Sequence, residues 1–206
     1  FVEAIRDGMV QDKALLERYL DTIYTQTVHI SRLVDDILSL SRLESGSITV
    51  EKLPVDLAVL AQGVVTSLEA VANNKKTSLL LEKRTETAIV IGDVDRMEQI
   101  IRNLLKNAIR ATENGIIRVG VETRQDEVLL TIEDTGVGIS PDDLPHIWDR
   151  FYQTKNQRGN HIQERGTGLG LVIAKKLVQL QGGRISVTSQ LGKGTTFSIS
   201  FPSYTQ

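Results

Sequence analysis

The sequence predicts an α+β protein, a helical hairpin followed by an α/β sandwich with helices on one face of a mixed, mostly antiparallel sheet. Three observations predict it. A long run from Asp12 to Glu44 places apolar residues at steps of three and four. The stretch Asp95–Thr112 repeats that spacing with a broad apolar stripe. From Ile116 onward, apolar residues alternate with polar ones in pairs of short runs separated by turn residues.

Composition narrows the function. The chain has 206 residues, and its 40% hydrophobic content is enough for a substantial core. It carries 24 Lys and Arg against 26 Asp and Glu, a net charge of −2, so a general nucleic-acid or polyanion binder is excluded and any phosphate site must be local. There is no cysteine, which removes disulfides, thiol chemistry and thiolate-bound metals. His29, His146 and His161 are scattered and form no zinc pattern. No apolar run approaches the roughly 18 residues that span a bilayer.

Phe1 to Gly8 reads as the end of a helix, and Asp12 as the cap of the next. That next helix carries Leu16, Leu20, Ile23, Ile30, Val34 and Ile37 and stops at Ser45-Gly46-Ser47. A stripe this long cannot be covered by one short hairpin, so a four-helix bundle of two copies, a homodimer, is expected. Ile48–Leu53 alternates like a strand. Pro54-Val55-Asp56 then opens a helix reaching about Asn74, and Ser78–Glu82 and Ala88–Ile91 read as short strands. In the helix over Asp95–Thr112, Met97, Ile100, Ile101, Leu104, Leu105, Ala108 and Ile109 face inward. Ile116–Glu122 and Glu127–Glu133 form a hairpin, Val172–Gln181 a helix, and Arg184–Ser189 with Thr195–Phe201 a closing hairpin.

Several groups in this frame point to chemistry. Gln99, Asn103 and Asn107 form a polar row beside the buried stripe. Asn is a mediocre helix former, roughly 0.5–0.7 kcal/mol worse than Ala at an interior position. Two of them one turn apart offer amide oxygens to a hard cation and N–H groups to phosphate. Asp134-Thr135-Gly136-Val137-Gly138 ends a strand; by itself the pattern also suits a tight turn. Gly166-Thr167-Gly168-Leu169-Gly170 precedes a helix, where N–H groups converge on an anion site. The spacing matches neither the dinucleotide fingerprint nor the P-loop. Between the two glycine stretches lies a long tract with an aromatic root and a polar, basic end, suited to a lid; Trp148 and Phe151 are expected to pack its root.

The order of these boxes is more specific than any one of them. DRMEQIIRNLLKNAIRAT, DTGVGI, IWDRFY, GTGLGL and GKGTTF resemble the N, G1, F, G2 and G3 boxes of sensor histidine kinases. SRLVDDILSLSRLESG resembles the second helix of their dimerisation and histidine-phosphotransfer domain. The resemblance implies a Bergerat-type sandwich of the gyrase, Hsp90, histidine kinase and MutL superfamily over residues 47–206, preceded by a partial phosphotransfer hairpin over residues 1–46. It implies ATP and Mg²⁺ as cofactors. Asn103 and Asn107 would face the triphosphate and metal, with Lys106 and Arg110 near the phosphates. Asp134 would bind the adenine amine, in a pocket shaped by Gly136, Gly138 and Ile139. Gly166, Thr167, Gly168, Leu169 and Gly170 would wrap the phosphates, Arg165 would close from the lid, and Thr196 would lie near the adenine.

Two departures accompany the resemblance. Arg110-Ala111 stands where the family often has Lys and an aromatic residue. The phosphoacceptor motif is absent, so the acceptor histidine and its acidic neighbour are expected upstream of Phe1. His29 lacks the flanking acid and proline, and a structural role is expected for it. The implied partners are a second copy and a response-regulator receiver domain, and the implied location is the cytoplasmic part of a membrane-attached sensor. Alternatives are an ATPase of the same superfamily, which would usually carry Glu at Asn103 to activate water, and a nucleotide-binding scaffold or degenerate kinase.

Overall fold

The structure is a computed structural model describing residues 1–7, 9, 12–46, 49–154 and 166–204. The expectations for Gly8, Ser47, Ile48, His161, Arg165 and the polar, basic end of the lid tract lie outside the described residues.

Helix α1 (Val2–Arg6) rests on α2 (Lys13–Glu44) through the Phe1 and Tyr19 rings, whose centroids are 4.7 Å apart. Asp12 caps α2 as its sequence position requires, its carboxylate accepting from the Ala14 N–H at 2.8 Å. The 32-residue helix ends before Gly46, whose φ of +67° closes the turn. Of its apolar residues only Leu40 is buried, while Leu20, Ile30, Val34 and Ile37 remain exposed.

The rest is a sandwich. Strands β2 (Ser78–Lys83), β4 (Ile116–Arg124), β5 (Glu127–Asp134), β6 (Arg184–Gln190) and β7 (Gly194–Pro202) form one sheet in the order β2-β4-β5-β7-β6. β2 pairs with β4 in parallel and the other pairs are antiparallel. Alternation sends Ile117, Val119, Val121, Val128, Leu130, Ile132, Phe197, Ile199 and Phe201 to one face, where all are buried. Helices α3 (Leu57–Asn74), α4 (Val94–Ala111) and α5 (Gly170–Leu180) cover that face. All seven apolar positions expected on α4 are buried.

One element differs from the expectation. The strand placed at Ile48–Leu53 is instead β1 (Leu53–Asp56), with Pro54 inside it. Its partner is β3 (Ile89–Gly92), in a separate two-stranded sheet where Pro54 stands opposite Ile91. A two-stranded pair leaves each strand one open edge, so the missing proline N–H is tolerated. Asp56 then caps α3 by accepting from the Ala58 N–H at 2.8 Å.

Candidate nucleotide-binding site

The buried stripe of α4 fixes its rotation, and that rotation aims the polar row at a cavity of about 480 Å³ between α2, α4, the C-terminal end of α3 and the loop before α5. Asn103, Lys106, Asn107 and Arg110 all line it. The Asn103 side-chain amide donates to the Gly170 carbonyl at 3.3 Å, tying α4 to the start of α5. The Asn107 amide oxygen accepts from the Arg110 guanidinium one turn later. Burial, with the Arg102 and Arg32 guanidiniums adding to it, pushes the Lys106 ammonium below its ordinary pKa, and Asp36 opposes the shift.

The loop of Gly166, Thr167, Gly168 and Gly170 lines the facing side of the cavity. Gly168 has φ +73°, and a Cβ there would stand 2.7 Å from the Phe151 backbone, so glycine is required. Two hydrogen bonds span the close approach: the Phe151 N–H donates to the Gly168 carbonyl at 3.0 Å, and the Gln153 side chain donates to the Gly166 carbonyl at 2.6 Å. Leu169 lies within this loop but does not line the cavity. It is fully buried beneath the loop, and only its N–H takes part, donating to Thr167 Oγ1 at 3.2 Å. Trp148 packs edge-on against Phe197 at 6.1 Å, as expected of a lid root, whereas the Phe151 side chain is exposed on a residue with φ +61°.

Asp134 ends β5, is buried, and does not line the cavity. Burial pushes its carboxyl up to about 6, against the pull of hydrogen bonds from the Gly136 and Thr195 backbone N–H groups. Gly136 and Gly138 do not line the cavity either, whereas Ile139 does. A Cβ on Gly136 would lie 2.3 Å from the Ala111 carbonyl oxygen, which accepts from the Val137 N–H at 3.1 Å. This contact seats the first glycine loop on the end of α4.

One correction concerns a single residue. Thr196 pairs with Glu133 on the open face of the sheet, away from the helices; its neighbour Thr195 is the buried one, paired with Asp134. The period of two decides this, because Phe197 is inward and so Thr195 must be. His29, for which a structural role is expected, lines the cavity from α2 together with Arg32 and Asp36. Sequence reasoning missed this α2 wall. The Thr167 hydroxyl donates to Asp36 Oδ2 at 2.6 Å across 131 positions, and nothing local announces such a contact.

The comparisons agree with this geometry. Residues 92–205 match the model of the histidine kinase-, DNA gyrase B-, and HSP90-like ATPase family, and residues 1–46 match the His Kinase A (phospho-acceptor) domain. The chain is 34% identical over 206 residues to the sensor protein SrrB of Staphylococcus aureus (strain MRSA252), covering 98% of this chain and 34% of SrrB. It therefore spans about a third of the length of the curated relatives it matches. Full-length ShkA, solved in complex with AMPPNP, superposes with a TM-score of 0.80 at 27% identity, over 96% of this chain and 41% of ShkA. ThkA, solved in complex with the response regulator protein TrrA, shares the fold with a TM-score of 0.76 at 24% identity, over 96% of this chain and 54% of ThkA. The chain belongs to the histidine kinase-, DNA gyrase B-, and HSP90-like ATPase family and, within it, to the sensor histidine kinases, with their dimerisation and catalytic domains.

Proposed function

We propose that this chain is the catalytic core that moves the γ-phosphoryl group of ATP to a histidine upstream of Phe1, from which it passes to an aspartate of a response regulator. The observation that carries the reading is the pair Asn103 and Asn107, one turn apart on α4, facing the Thr167 loop across one cavity. Amide oxygens and backbone N–H groups suit a triphosphate, and Asn at position 103 cannot act as the base that would activate water. Transfer is therefore favoured over hydrolysis.

Among the described residues, no three His, Cys, Asp or Glu side chains gather as a metal site. Two neutral amide oxygens fit Mg²⁺ only when phosphate oxygens complete its shell. Asn107 and Asn103 would hold it, and when bound it screens the phosphate charge. Lys106 and Arg110 add fixed positive charge, and Gly166–Gly170 presents N–H groups at the α5 N-terminus. Asp134 accepts the adenine amine. The acceptor imidazole nitrogen attacks the γ-phosphorus in line, and the bond to the β,γ-bridging oxygen breaks. ADP leaves with that oxygen, and the imidazole proton passes to a base beside the acceptor. The exposed stripe of α2 pairs with a second copy to form the four-helix bundle that brings the acceptor in. ThkA, which shares the fold and was solved with a response regulator, supports the receiver-domain partner. Among the described residues no helix is long and apolar enough to cross a membrane, and membrane attachment is proposed for the parent protein alone.

Incubating an N-terminally extended chain with γ-labelled ATP tests the reading. Acid-labile phosphate on the protein is expected. Release of free phosphate alone would establish an ATPase, and neither product would leave a scaffold.

A further inference from the structure

The ladder Arg32, Asp36, Leu40 and Glu44 runs along α2 at steps of four, so it forms one face of the helix. This face meets the catalytic region. Leu40 is buried in the common core, and Leu43 packs against the same cluster. Glu44 bridges two cations, Arg150 at the lid root and Lys176 of α5, the latter at 3.2 Å. Two turns earlier, Asp36 Oδ2 accepts the Thr167 hydroxyl at 2.6 Å, and that same hydroxyl accepts the Leu169 N–H at the start of α5. Asp36 lines the nucleotide cavity and Glu44 does not.

Asp36 thus sets a carboxylate against the glycine loop, reached through the hydroxyl that ends the N–H row of α5. Arg32 and Lys106 line the same cavity. These are the surroundings of a bound anion. A triphosphate entering the loop meets a fixed negative charge where its own charge is to be stabilised.

We propose that Asp36 is an internal anion that competes with the nucleotide phosphates for the Thr167 loop, so that docking of the Arg32–Glu44 face of α2 and nucleotide binding oppose each other. The proposal rests on the nucleotide reading of the cavity given above. Glu44 holds the docked arrangement from outside the cavity; Asp36 turns that arrangement into lowered affinity. Because binding and docking are linked, each weakens the other by the same factor. Release of α2 from the catalytic region then frees both the loop and the helix.

The test titrates the whole 206-residue chain with AMPPNP by calorimetry, beside Asp36→Ala and Glu44→Gln, and follows amide exchange over Asp36–Glu44 with and without AMPPNP. Asp36→Ala removes no core packing and raises helix propensity, so its fold is not at risk. The expected result is tightening of at least fivefold in Asp36→Ala, at least twofold in Glu44→Gln, and faster exchange in the Asp36–Glu44 segment once nucleotide saturates the wild type. Unchanged or weaker binding in Asp36→Ala overturns the proposal, as does tightening in Asp36→Ala with Glu44→Gln and the exchange both unmoved, which would make Asp36 a local charge without a docking equilibrium. In those outcomes the nucleotide reading stands. Absence of AMPPNP binding in all three chains overturns both.

Discussion

The carboxylate of Asp134 accepts the backbone N–H of Gly136 at 2.9 Å, two residues further along the same loop. This bond folds the loop back onto the end of β5 and keeps the acid buried. The folded-state pKa is about 6, raised from 3.8 chiefly by burial. Between those values the folded chain holds a proton that the unfolded chain has released. Stability from this group is therefore full below pH 4 and lost as pH rises to about 6, by on the order of 3 kcal/mol.

Asp134→Asn should remove that dependence. Its thermal unfolding is expected to lose the pH 4–6 slope and to be no less stable than the wild type at pH 7.5, while ATP affinity falls at least tenfold. Calorimetric scans across pH, with ATP titrations at pH 7.5, check both halves. An undiminished affinity would remove Asp134 from the adenine role.

Glycines separate by what a methyl group would meet. At Gly138, φ is +66° and a Cβ would stand 2.1 Å from the Gln190 carbonyl oxygen. Gly138→Ala is expected to cost about 2–4 kcal/mol. Gly63 lies inside α3 with no neighbour within 4 Å of the added carbon, so Gly63→Ala should stabilise by roughly 0.5–1 kcal/mol. Urea denaturation curves of the two variants should move in opposite directions.

The uncovered apolar stripe of α2 predicts a dimer. Ile30 and Val34 are 58% and 48% exposed, one turn apart, in a helix whose other side meets the catalytic region. Ile30→Glu with Val34→Glu should convert the dimer to a monomer in sedimentation equilibrium while leaving nucleotide binding intact, since neither residue lines the cavity. A wild-type chain that sediments as a monomer at high micromolar concentration contradicts the bundle.

Much of this was legible in the sequence because it depends on local period. The rotation of α4 follows from seven apolar positions at helical spacing, and it alone sets where Asn103 and Asn107 point. The β4–β5 and β6–β7 hairpins follow from alternation and turn residues. The inward place of Thr195 was also readable from the parity of Phe197, Ile199 and Phe201, although the family resemblance was carried over to Thr196. What was not legible is nonlocal. β1 takes its register from β3, whose Gly92 stands opposite Leu53 across 39 positions of sequence.

The α2 wall is the larger omission. Arg32 and Asp36 look like solvated charges on a surface helix until α5 packs beside them. Their part in the site exists only in the tertiary arrangement, through the Thr167 contact and the ion pairs of Glu44.

The central claim is that α4 and the Thr167 loop bind ATP with Mg²⁺ through Asn103 and Asn107. Calorimetric titration of the chain with ATP, with and without Mg²⁺, tests it most directly, beside Mg²⁺ alone and beside Asn107→Asp. The expected result is no heat from Mg²⁺ alone, ATP binding that Mg²⁺ strengthens, and an altered Mg²⁺ dependence in Asn107→Asp. A folded chain that binds no ATP, or one whose Mg²⁺ dependence ignores position 107, would contradict it.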